Sequence, residues 1–272
     1  MTTTLDSPAT HTAARTTPPT QSAIAPLPRA SGRFVAAWRS ELVKLATIRS
    51  SRAILALAIV VGGTASFMVA RFVTDEVITV ANVFGFSAVF TAVFAAVSGI
   101  LTYTAEAEHN TAQHTFAAEP RRSIVIGAKT AVSVTYTAAL ALAGLAAGAA
   151  GAALAGVETG DTSSIPTTIA WATGFAVLAG VLGLGIGLIT RHSAAAISGV
   201  LIWWLVVENL VAVFAPERIV RLMPFVAGNG MLEIVDEGEQ IAYERPVTTL
   251  IFAGYVLAAL IIGTIITART DP

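Results

Sequence analysis

Residues Thr167–Thr190, TTIAWATGFAVLAGVLGLGIGLIT, contain no charged side chain and are followed at once by Arg191 and His192. As a helix rising about 1.5 Å per residue, this stretch covers the roughly 30 Å of a bilayer's hydrocarbon core. Its Gly183, Gly185 and Gly187 imitate part of a dinucleotide-binding fingerprint. That fingerprint requires a strand before it and a helix opening after it, whereas these glycines lie inside one apolar run. They predict close approach of another helix, or local flexibility. After the short Arg191-His192 turn, Ser193–Phe214 is again apolar, so the two segments form an antiparallel hairpin of membrane spans.

Working outward, further spans fall at Ala53–Phe72, Val80–Tyr103, Ile124–Gly156 and Thr248–Ala268. Composition agrees: 55% of residues are hydrophobic, 12% are charged and the mean hydropathy is +0.74. Soluble domains carry about twice that charge. The expected fold is therefore all-α, a polytopic membrane protein with six transmembrane helices and an N-terminal amphipathic interfacial helix. That leading helix occupies Gly32 to Arg52, where Phe34, Trp38, Leu42, Leu45 and Ile48 recur at helical spacing among Arg39, Lys44, Arg49 and Arg52. It suits the headgroup layer, as an electrostatic anchor for the first span or as a functional element. Residues 1–31 are rich in Thr, Pro and Ala, lack the apolar core of a signal peptide, and are expected to be a disordered cytoplasmic tail ahead of a permease domain over 32–272.

Of the 16 Lys and Arg residues, all but Arg71, Arg218, Arg221 and Arg245 fall on one side of the six spans. The positive-inside rule makes that side cytoplasmic and, with an even number of crossings, places both termini there, in the plasma membrane. Acidic residues crowd the opposite loops, including Glu217, Asp236 and Glu244 in the long extracytoplasmic loop 215–247, which disfavours nucleic acid as a partner there. One or two short helices at the outer membrane surface are expected in that loop. The net charge of −1 averages two opposed faces, and with no cysteine there is no disulfide or thiol metal site.

The longest span carries Gly144, Gly148, Ala152 and Gly156 every four residues, a smooth ridge for helix packing. Gly183 and Gly187 offer a similar surface. Lys129 marks where that long span leaves the cytoplasm. In the fifth span, Glu208 is the one deeply placed acid, with Asn209 beside it. An acid at a helix centre costs roughly 2.5–3.5 kcal/mol, so it should face protein or water, as a cavity wall, a cation partner or a structural hydrogen bond. No phosphate-binding loop occurs; Gly127-Ala-Lys-Thr lacks the Gly-Lys pair and the glycine-rich turn. Glu106, Glu108, His109, His114 and Glu119 cluster without zincin order, and no paired intramembrane acids or histidines point to hydrolysis. The chain is therefore expected to hold no nucleotide or metal cofactor and to have no catalysis of its own. Any ATP dependence belongs to another polypeptide.

The segment Tyr103-Thr-Ala-Glu-Ala-Glu-His-Asn-Thr-Ala-Gln-His-Thr-Phe-Ala-Ala-Glu-Pro-Arg-Arg122 joins the second and third spans across the cytoplasmic mouth, 104–123. It resembles type 2 ABC-transporter permeases, notably the six-span actinobacterial type, in Glu106, Thr111, Thr115, Pro120, Arg121 and Arg122. Ala107 stands where that family has an aromatic, and Asn110 where it has glycine. Glu41-Leu-Val-Lys44-Leu with Arg49-Ser-Ser, and Gly183 through Ser193 leading to Val207-Glu208, resemble the same family. The resemblance implies an exporter half: two permease subunits, identical or related, pair in the lipid bilayer above two cytoplasmic ATPase subunits that bind ATP and Mg. It implies that Glu41, Lys44, Glu106, Thr111, Pro120, Arg121 and Arg122 transmit motion from the ATPase, although Arg121 and Arg122 also suit positive-inside anchoring. The alternatives are a secondary transporter, which usually needs several intramembrane ionisable groups, and a non-transporting accessory or immunity protein.

Overall fold

The computed structural model describes residues 30–72, 80–109, 111, 115, 117, 119, 121–156, 162–232 and 243–269. Among these the protein is all-α, with six helices long and apolar enough to cross a membrane. The helices are α1 (Ala30–Thr47), α2 (Arg49–Phe72), α3 (Val80–Glu108), α4 (Arg122–Leu154) and α5 (Ile165–Thr190). They continue with α6 (Ser193–Phe214), α7 (Glu217–Val220), α8 (Pro224–Gly230) and α9 (Arg245–Arg269). The 1–29 tail, Pro120, and 233–242 of the long loop lie outside the described residues.

Glycine decides how closely the spans approach. The α3–α5 pair is the most extensive contact in the bundle. A Cβ on Gly99 would overlap the Gly180 carbonyl oxygen, and one on Gly183 would overlap that of Ala96. A Cβ on Gly187 would stand 2.8 Å from the Ile100 carbonyl oxygen. Apolar burial distinguishes little between protein and lipid neighbours, so such backbone-to-backbone fits carry much of the association. The α4 ridge behaves alike: Gly144 faces Thr91, and Gly148 faces Ser87 and Ser66, so α4 lies against α3 and α2 together. Gly156 does not belong to that ridge. It follows the end of α4 with φ +80, and a Cβ placed on it would meet nothing within 4 Å among the described residues, making it a turn residue. Gly151 supplies the next contact, against the Gly63 backbone of α2.

Two helix boundaries and one packing arrangement differ from expectation. Helix α3 runs on through Glu108, so Glu106 sits on the span itself rather than in the connecting segment expected over 104–123. Helix α1 stops at Thr47, which leaves Ile48 beyond it, and α1 packs along α4. Its most buried side chain is Glu41, at 5% exposure, rather than a member of the apolar stripe. Among the described residues after α6 there are two short helices, α7 and α8, but α8 is drawn into the bundle. Phe225, Ala227, Gly228 and Met231 are buried, and Phe225 stacks on Trp204 of α6 at 4.1 Å between ring centroids.

Candidate functional site

Two lysines and two glutamates close a ring at the end of the bundle that carries α1. Lys129 of α4 donates to Glu41 Oε2 at 2.9 Å and pairs with Glu106 Oε2 at 3.0 Å. Lys44 donates to Glu41 Oε1 at 2.6 Å and to Glu106 Oε1 at 2.8 Å. Each carboxylate thus gives one oxygen to each ammonium, and the four charges cancel. Lys129 also donates to the Thr102 carbonyl at 3.2 Å, and Lys44 approaches Thr115 Oγ1 at 3.4 Å.

Local sequence explains why these groups meet. Glu41 and Lys44 are three residues apart, so they share one face of α1. Glu106 occupies the last turn of α3, and Lys129 lies two turns into α4, facing both. Lys129 is only 1% exposed. An isolated ammonium there would carry a large desolvation cost, and two carboxylates offset it. An apolar contact alone would accept several registers of α1 on α4, whereas this ring accepts one. For Lys44, burial lowers the ammonium's pKa, but hydrogen bonds and charges from Glu106 and Glu41 outweigh it. They hold it above its ordinary 10.5.

Further polar ties surround the ring. Arg33 of α1 forms a two-pronged pair with Glu119, with Nε donating to Oε2 at 2.7 Å. The guanidinium holds the Glu119 carboxyl below its ordinary range, and the Arg121 backbone amide helps. Glu108 accepts from the Ser193 amide at 2.6 Å and from its hydroxyl at 2.8 Å, capping the first turn of α6. Arg122 donates to the Thr267 and Ala268 carbonyls at 2.5 and 3.2 Å, at the end of α9. Through side chains, one end of the structure therefore links α1, α3, α4, α6, α9 and the segment between α3 and α4.

Of the residues chosen from sequence, Glu41, Lys44 and Glu106 come together. Thr111 is exposed, and its amide donates to the Glu106 carbonyl at 3.0 Å. Arg121 is exposed and extended ahead of α4, while Arg122 holds the end of α9 instead of projecting outward. Glu208 and Asn209 belong elsewhere, about 22 Å further along α6 from Ser193. Glu208 is 3% exposed and accepts from the Phe225 and Val226 amides at 3.0 and 2.8 Å and from Trp203 Nε1 at 2.9 Å. It caps the first turn of α8, so its bonds in this structure are those of a structural acid. Just before it, Trp203–Val207 forms a π-helical turn, and Asn209 Nδ2 donates to the Leu205 carbonyl at 3.1 Å.

Sequence reasoning missed Lys129, which it treated as a marker of depth. The available signal was its position: a lysine seven residues inside an apolar helix needs an acid, and Glu41 and Glu106 were the candidates on that side. No known family model matches the chain, and comparison with curated proteins gives no match.

Proposed function

We propose that the chain is the membrane-spanning subunit of an ATP-driven exporter, akin to type 2 ABC-transporter permeases, and that the charged ring is where motion from a separate ATPase enters the spans. The observation that carries this reading is the ring itself, closed by Glu41, Lys44, Glu106 and Lys129. It locks α1, which is outside the six spans, onto two of them. A helix clamped in one register transmits displacement, whereas a freely floating one dissipates it. The cation-rich rim around it, with Arg39, Arg49, Arg52 and Arg121 exposed, favours an inward-facing position under the positive-inside rule. An ATPase in the cell interior would then reach α1 and the α3–α4 segment together. Export, pairing with a second permease subunit, and residence in the plasma membrane belong to the same proposal.

Purification of the tagged chain from detergent-solubilised native membranes tests it. An ATP-hydrolysing subunit is expected in the complex, and Glu106→Ala is expected to reduce ATP turnover without releasing that subunit. A chain that purifies without an ATPase and still moves solute down an ion gradient overturns the proposal and restores the secondary-transporter reading.

A further inference from the structure

An open-sided cavity of about 370 Å³ lies under α1, between α2 and α4. Leu42 and Leu45 of α1, Leu55 of α2, and Tyr136, Ala139 and Leu140 of α4 make its surface almost wholly apolar. The volume falls within the range of small-molecule pockets. Tyr136 donates its hydroxyl to the Ser51 carbonyl at 2.6 Å, and Thr135 donates its own to the Ala131 carbonyl, so neither hydroxyl offers its proton to an occupant. Arg52 is the single charged residue among those lining it. Its side chain is exposed, its one hydrogen bond among the described residues is a long 3.5 Å donation to the Thr47 carbonyl, and Arg49 lies one turn before it on α2. The cavity therefore pairs an apolar interior with a cationic rim, at the level where α2 passes from Arg49 and Arg52 into its uncharged stretch.

We propose that this cavity is a binding site for one anionic phospholipid, with an acyl chain between α1, α2 and α4 and the phosphate on Arg52. Charge complementarity selects the occupant: a zwitterionic headgroup brings its own cation to the same rim, whereas an anionic one leaves the arginine a net partner. The largely apolar lining favours a flexible hydrocarbon over a peptide or a nucleotide, whose polar groups would find few partners there. Because α1 is the roof, the lipid braces the helix that the ring clamps from its other side. The site does not depend on the export reading, since it rests on the cavity and Arg52 alone.

Native mass spectrometry of the full-length chain tests this after extraction from nanodiscs of equal phosphatidylglycerol and phosphatidylcholine. The expected result is one retained phosphatidylglycerol per chain. Arg52→Gln should weaken its retention about fivefold relative to wild type while Arg52→Lys keeps most of it. Ala139→Phe, which fills the apolar interior, should abolish retention of either lipid. Equal retention of the two lipids by the wild type overturns the proposal, as does phosphatidylglycerol retention unchanged in both Arg52→Gln and Ala139→Phe. The wild-type comparison alone decides if a variant fails to fold.

Discussion

Replacing Lys129 with methionine removes one cation from the ring and nothing of comparable length from the packing. Glu41 and Glu106, with side chains 7% and 15% exposed, then share only Lys44. Breaking a buried pair by deleting one partner costs about 3–5 kcal/mol, because a charge is left without compensation. Lys44 remains on both carboxylates and is 37% exposed, so the lower end, about 3 kcal/mol, is expected. For a chain of this size that corresponds to a fall in Tm of about 6–12 °C. Thermal unfolding of the detergent-solubilised full chain measures it. The double variant Glu41→Gln with Lys129→Met restores charge balance around Lys44 and Glu106 and should recover about half of the loss, so the coupling is at least about 1.5 kcal/mol, enlarged by whatever Glu41→Gln costs alone. The chain has no cysteine, so a single spin label at Val43→Cys reports α1 directly and should become more mobile in Lys129→Met. Wild-type melting and label mobility in Lys129→Met, with no coupling to Glu41, would falsify the idea that the ring holds α1.

Gly183→Ala places a methyl group on the Ala96 carbonyl and should cost about 2–3 kcal/mol in thermal stability. Gly174→Ala in the same helix, where the nearest atom is Met231 Cε at 3.6 Å, should be neutral; equal effects of the two would refute backbone proximity as the cause. Glu208→Leu strands the Phe225 and Val226 amides and Trp203 Nε1, at about 1–3 kcal/mol each, and hydrogen exchange at those amides should accelerate. Glu208→Gln, which keeps an acceptor, should show a smaller change, and unaltered protection in Glu208→Leu would remove the cap from the account. Glu119 has a lowered pKa in the folded chain, so its contribution is present above the ordinary 4.5 and lost as the pH falls below that through the folded value. A label at Ser40→Cys should therefore loosen on acidification below about 4.5 in wild type, and by less in Arg33→Ala, where only the carboxylates of the ring remain to be protonated.

Much of this architecture was legible because hydrocarbon imposes a simple rule on sequence. Uncharged runs such as Thr167–Thr190 have few alternatives to a spanning helix, and the Arg191-His192 turn leaves no room for anything but a hairpin. Gly183 and Gly187 were readable as contact points because small residues at helical spacing admit a neighbouring backbone, yet their partner, α3, was not. Gly156 continued the same spacing but fell past the helix end, since periodicity does not show where an alanine-rich helix stops. The ring was half legible. Glu41, Lys44 and Glu106 were marked only by the resemblance to type 2 permeases, and their pairing depends on how α1 lies across α4, which no local pattern encodes. Lys129 was hidden by a prior expectation that lysines near span ends reach outward to the headgroups. Glu208 was visible as costly, and only the position of α8 reveals that two backbone amides satisfy it.

Sidedness offers the most direct trial of the proposal that a separate ATPase engages the ring from the cell interior. Single cysteines introduced at Ser40, Arg121 and Arg218 are each exposed, and a membrane-impermeant maleimide applied to right-side-out and inside-out vesicles reads which side they occupy. Labelling of positions 40 and 121 only in inside-out vesicles, and of 218 only in right-side-out ones, is the result expected. Positions 40 and 121 reacting from outside, or all three reacting from one side, would contradict it.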